Sequence, residues 1–217
     1  MRRAGILAVV VLGAIGVGTA LAAQGDPQQK HNKADMSRAR AASLRLSDFP
    51  AGWKASPASK TDNSNPRCSI YNPDQSDLVE TGKYDAPDFG RPDSSFVSSS
   101  TGVFQTAAMA KTGYARVAVP QLSACFGEIF VKAIKAPNSA TVISSGPIAF
   151  KKVGDRSNAY RLVVSVKTQQ GTVPVTTDIS LFNKGRTDVA IIFFGIVEPF
   201  PPAWEQMLTA RVASRVR

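Results

Sequence analysis

Two cysteines, one histidine and a scatter of carboxylates are the groups in this chain that could do chemistry. Cys68 and Cys125 could form a disulfide, hold a metal or supply a thiolate, and the last two roles need histidines or further thiols close by. His31 is the only histidine, and it lies in a polar N-terminal stretch away from both cysteines. No metal site, catalytic thiol or cofactor is therefore expected. Serine is plentiful, but no S-x-x-K or G-x-S-x-G element is present to activate one. Ser139, Ser144 and Ser145 read as ordinary strand and turn polar groups. A glycosidase-type pair of carboxylates is the remaining catalytic option, with Asp155, Asp178, Asp188, Glu128, Glu198 and Glu205 as candidates. Asp155 sits in a Gly-Asp-Arg-Ser turn, where an aspartate bonds its own backbone. Asp178 and Asp188 flank the Asn183–Gly185 turn and could approach one another, or pair with Arg161 and Arg186. No catalytic residue is expected, and the chain reads as a non-enzymatic binding module. A cell-wall-directed hydrolase using paired carboxylates is the alternative.

The compartment decides how the cysteines and the charge are read. Arg2 and Arg3 precede an uncharged run from Ala4 to Ala23 that ends in small residues around Ala20-Leu-Ala22, the pattern of an export signal. Cleavage after Ala22 would release a secreted protein, and retention would leave one membrane span with the rest of the chain outside. Membrane association is expected only in the second case. Outside the cytoplasm two thiols in one small domain pair, closing a loop of about 60 residues worth about 4 kcal/mol in the chain-entropy model. The chain carries 26 basic and 16 acidic side chains, a net charge of +10. In an exported protein this points away from nucleic acid and toward an anionic glycan, lipid or peptide of the envelope, or a protein partner. The basic residues are scattered, which also suits plain solubility.

Stepping along the chain, residues 24–42 are polar and charged and predict a flexible tether, leaving 43–217 as a single α+β domain. Residues 43–53 (SLRLSDFPAGW) dock Phe49 and Trp53 onto the core. Residues 55–95 predict a long loop region tied down by Cys68. Phe96–Phe104 predicts a strand, Gln105–Val117 a helix, and Pro120–Lys135 a second helix bearing Cys125. Four strands follow, at Thr141–Lys151, Ala159–Lys167, Thr172–Phe182 and Arg186–Val197, joined in part by hairpin turns at Gln169–Gly171 and Asn183–Gly185. Gly146-Pro147 marks a bulge or an edge, and VAIIFFGIV predicts a central strand covered on both faces. Pro201 and Pro202 open a last amphipathic helix. The expected order β-α-α-β-β-β-β-α gives a central antiparallel sheet flanked by helices.

Phe150, Phe193, Phe194 and Trp204 have core-like spacing. Tyr71, Tyr84 and Phe89 fall in the polar loop region and, with Arg161 and Arg186, are the candidate rim of a ligand cleft.

Four features in this order, LSDFPAGW, SSSTGVFQTAAMAK leading to a helix that ends near Cys125-Phe126, VGDRSNAYR, and a Lys184-Gly-Arg186 hairpin before an apolar strand and final helix, resemble a known family. It is the exported PsbP-like α/β/α domains of actinobacteria, which include the extracellular sensor domains of PknH-type kinases and LpqN-like lipoproteins. The resemblance covers about residues 43–217 and implies an α/β/α sandwich that senses or binds an envelope ligand or partner without catalysis. The chain departs from it in lacking a lipobox cysteine and a kinase domain, and in having cysteines for one disulfide where the kinase sensors have two.

Overall fold

The computed structural model describes residues 25–58, 66–92 and 95–217. The expected export segment, residues 1–23, lies outside the described residues. Among these, no helix is long and apolar enough to cross a membrane.

The C-terminal half is a four-strand meander whose alternation of side chains produces its two faces. It comprises β6 (Ser139–Pro147), β7 (Arg156–Thr168), β8 (Gly171–Lys184) and β9 (Thr187–Ile196). All four pair antiparallel with their chain neighbours. The β8–β9 turn is held by Gly185 at φ +56, a backbone conformation that costs glycine nothing. The predicted bulge in β6 falls between Val142 and Ser144 rather than at Gly146-Pro147, and β6 forms one edge of the sheet.

β5 (Phe96–Phe104) adds to the far side of β9 in antiparallel register, Val97 opposite Phe193 and Thr101 opposite Val189. This makes β9 central. Beyond β5 lie β3 (Val79–Asp85) and β1 (Gln28–Gln29), the latter parallel to β3. A short β4 (Asp88–Gly90) pairs with β5, and β2 (Lys54–Ser56) pairs with β4. Residues 55–95, expected as one long loop, thus supply β3 and β4, while β2 begins just before them. The family of paired strands runs β1-β3-β5-β9-β8-β7-β6, a mixed sheet with helices on both sides, an α+β sandwich.

One face packs α1 (Lys33–Ala42) and α4 (Pro202–Arg215) over Val97, Val189, Ile191 and Phe193. The other packs α2 (Ala107–Val117) and α3 (Gln121–Ala133) over Tyr160, Leu162, Ile179 and Leu181. Phe193 is fully buried, while Phe150, Phe194 and Trp204 are half-buried. The second face of β9 is only half covered, because Ile192, Phe194 and Ile196 remain partly exposed. Cys68 and Cys125 are bonded, with Cα atoms 5.6 Å apart, which staples the 66–78 segment onto α3.

The flexible tether expected over 24–42 is not what the described part, 25–42, forms. β1 donates the Gln28 N–H to Leu78 O at 2.8 Å, and α1 buries Ala39 and Ala42 completely. Asn32 caps α1 by accepting the Asp35 N–H at 2.9 Å, the role in which asparagine excels. Gly82 lets the helix lie directly on β3, since a Cβ there would stand 2.3 Å from the Asp35 carbonyl carbon. The observed order therefore carries α1 and four strands ahead of the expected β-α-α-β-β-β-β-α series.

Candidate functional site

The chain makes a concave apolar site where α1 ends and the backbone turns back along the sheet. Ser43 terminates α1, its hydroxyl bonding Ala39 O at 2.9 Å and the Thr101 hydroxyl at 2.9 Å. A short 3-10 turn at Leu46–Asp48 follows, fixed by the Arg45 N–H donating to Asp48 Oδ2 at 2.9 Å. Phe49 and Trp53 then stack beneath β4, with ring centroids 4.6 Å apart, and Phe49 sits 4.8 Å from Phe89. β2 closes the wall by pairing Ala55 with Phe89.

The result is a cleft of about 510 Å³, with Leu44 and Phe89 as its floor and Tyr84, Leu46, Pro87, Ala41 and Ala55 among its walls. That volume falls within the range of small-molecule sites, which runs from about 300 to about 1,000 Å³. Arg40, Arg45 and Ser37 stand at its mouth, and among the described residues no carboxylate or carboxamide is in the lining. The Arg40 guanidinium lies 5.6 Å above the Tyr84 ring centroid, a cation–π contact that holds it in place. Arg45 donates to Ala41 O at 2.9 Å. Each guanidinium has five donors, so both keep N–H groups to offer a ligand.

Of the five predicted rim residues, the structure brings Tyr84 and Phe89 together here, and Phe89 is 1% exposed, floor rather than rim. The other three lie elsewhere. Tyr71 is buried beside the disulfide and donates to Val117 O at 3.1 Å; burial pushes its hydroxyl up, out of the titrating range. Arg161 binds Asp178 with two hydrogen bonds, of 2.7 and 2.5 Å, under α4. Arg186 reaches back across the sheet end to Asp35 at 2.6 Å, Thr81 at 3.1 Å and Phe104 O at 2.7 Å. A single cleft ringed by all five is therefore corrected to a pair of residues joined by Arg40, Arg45, Leu44 and Leu46. Of those four, Arg40 is hidden by the tether reading of residues 24–42, while Leu44, Arg45 and Leu46 lie in the segment read only as docking Phe49 and Trp53; the Asn32-x-x-Asp35 cap is the signal that a helix delivers Arg40.

The carboxylates are also arranged differently from expectation. Asp178 pairs in register with Phe193 and Asp188 with Asn183, which puts the two acids on opposite faces of the sheet, so they do not approach. Asp178 pairs with Arg161 as expected, whereas Arg186 takes Asp35. Asp155 accepts the Gly185 N–H at 2.8 Å, not its own backbone. Asp178 has a different acidic neighbour, Glu205 of α4, and both are 2% exposed. Burial, and the adjacent Asp178, hold Glu205 protonated well above the usual carboxylate range. Neither of these two lines the cleft. On the opposite face burial pushes Asp188 up to about 8, against a 2.6 Å hydrogen bond from Asn183, with Glu80 adding to the rise. Burial raises Glu80 too, and His31 Nε2 lies 3.5 Å from it. Among the described residues no group of three or more His, Cys, Asp or Glu side chains is placed to hold a metal ion.

A second, smaller hollow of about 310 Å³ opens on the half-covered face, lined by Ser98, Ser100, Ala190 and Ile192.

No family model matches the chain, and no curated protein matches it. Among solved structures it is similar to the crystal structure of the extracellular domain of PknH from Mycobacterium tuberculosis. The identity is 10%, the match covers 83% of this chain and 93% of that one, and the TM-score is 0.41.

Proposed function

We infer that this protein is an exported, non-enzymatic binding or sensing module of the cell envelope, and that the cleft at the end of α1 is where it takes its ligand. The observation that supports this is the cleft itself: an apolar floor, walls built from four separate elements, and two arginines fixed at the mouth. Binding sites combine an apolar body with a few placed polar groups in this way. The exported reading rests on the N-terminal segment and is supported by the Cys68–Cys125 bond, since disulfides persist in oxidising compartments.

The test is in-cell crosslinking of the full chain carrying a photoreactive side chain at Ala41 or Ala55 on the cleft wall. Asn138, exposed at the far end of the sheet, serves as the control position. A crosslinked species recovered from the wall positions and not from the control supports the reading. Recovery from neither, or equally from all three, overturns it.

A further inference from the structure

We propose that the cleft at the end of α1 binds a single-chain anionic lipid, with the acyl chain on the Leu44–Phe89 floor and the acidic head between Arg40 and Arg45. This rests on the cleft being the ligand site, and adds the chemical class of the ligand. The floor residues are 2% and 1% exposed and have no polar side-chain atoms. Apart from the two arginines, the polar side chains of the lining are Ser37 and Tyr84. A glycan is commonly met by carboxylate or amide side chains at its hydroxyls, and among the described residues none lines this cleft. An apolar chain needs only surface from which water is displaced, and the floor and walls supply it. Leu46, 46% exposed at the lip, extends that surface outward.

The head-group preference follows from charge. Two guanidinium groups meet the mouth, and among the described residues no acid is in the lining to neutralise them. An anion placed there gains charge-assisted hydrogen bonds from donors already held by Tyr84 and Ala41. A neutral head gains none of this, and a cationic head is repelled. A small anion without a tail leaves the floor wet, so it is not the expected ligand.

Hexadecanoate is the probe, titrated into the full chain by calorimetry, with hexadecanol and acetate as comparison arms. The expected result is saturable binding of hexadecanoate that is lost when Ala41→Trp fills the cleft. The double variant Arg40→Gln/Arg45→Gln should weaken hexadecanoate about tenfold, the combined effect of two partly exposed charge pairs. The same variant should leave hexadecanol unchanged, and acetate should not bind. If Ala41→Trp lowers the urea midpoint, Leu46→Ser at the exposed lip replaces it and should weaken hexadecanoate and hexadecanol alike. Binding that survives the cleft variants places the lipid elsewhere, including on residues 1–23, and overturns the proposal. Equal affinities of the wild-type and arginine variants for hexadecanoate, or acetate binding as tightly as hexadecanoate, overturn it as well. Crosslinking from Ala41 that recovers a peptide or a glycan overturns the lipid assignment and leaves the binding reading standing, so the two fail separately.

Discussion

The two halves of the sheet are held together by different means. From β6 to β9 each strand pairs with its neighbour in the chain, and β7, β8 and β9 each bury an apolar stripe on at least one face. From β1 to β5 the strands are mostly shorter, the partners are distant, and charged groups make the joints. Arg186 on the β8–β9 turn clamps Asp35 of α1, and Arg215 of α4 clamps Asp48 of the 3-10 turn, with separations of 151 and 167 residues. The first half is paired strand to neighbouring strand; the second is joined to it by the β5–β9 ladder, by an apolar core shared with Val189, Ile191 and Phe193, by ion pairs and by one disulfide. The cleft belongs to the second half. Sites built by joining distant segments can change shape without disturbing the scaffold, which suits a binding module.

The largest effect should come from the covalent joint. Replacing Cys68 and Cys125 by alanine removes a crosslink spanning 57 residues and should cost about 4 kcal/mol in urea unfolding. A loss under about 1 kcal/mol would show that the 66–78 segment is held by Tyr71 packing instead. Next comes Asp48→Ala, which should cost about 3 kcal/mol, because it strips the charged partner from Arg215 and the acceptor from the Arg45 N–H. Asp48 is 4% exposed, and the variant should also widen the cleft turn, read as loss of ligand affinity greater than the loss of stability predicts.

Arg186→Met sharpens the contrast further. It leaves Asp35 and Thr81 without their shared donor and should cost about 2 kcal/mol. Amide exchange is the discriminating measurement. β1, α1 and β3 should exchange faster while β7, β8 and β9 keep their protection. Uniform acceleration across the sheet would mean that the halves unfold as one unit.

The same distinction governs what could be read from the residues. β5, α2, α3 and the four-strand meander were legible because their periodicity and turn chemistry are local: Tyr160, Leu162, Val164 and Val166 alternate, and Gly185 marks its turn. α1 was not, since its buried residues are Asp35 and two alanines, Ala39 and Ala42, and its remaining residues are those of a solvated linker. β1, β2 and β4 are two or three residues long, too short to show a period. Half of the cleft was visible, since aromatics at Tyr84 and Phe89 in a polar segment ask for an explanation. Arg40 and Arg45 were not, because only the docking of α1 brings them there. The misplaced acids have a similar cause: strand pairing predicted that Asp178 and Asp188 would be neighbours, but face depends on register, and a shift of one residue exchanges the faces.

The smallest effect is the one with opposite signs in the two halves. Burial alone would raise Asp35 and Asp48, but hydrogen bonds from Thr81, Asn32 and Arg186 to the first, and from Arg215 and the Arg45 N–H to the second, hold both below their ordinary value. Their contribution is present above about pH 4 and is lost as pH falls through the lowered values. Asp188 runs the other way. Its folded pKa is raised by burial to about 8 from 3.8, so the folded state holds the proton more tightly than the unfolded chain. The associated stability is complete below about pH 4 and declines as pH rises through about 8. Asp188→Asn keeps the Asn183 contact and removes the titration. It should raise stability by about 1 kcal/mol at pH 8, a figure discounted because the side chain reaches solvent, and by nothing at pH 4. Acid should therefore loosen the N-terminal joints, with exchange rising first in α1 and around residues 43–49, whereas alkali should weaken the β8–β9 turn. A variant whose advantage over wild type is the same at pH 4 and pH 8 would show that the Asp188 carboxyl does not set the alkaline loss of stability at the β8–β9 turn.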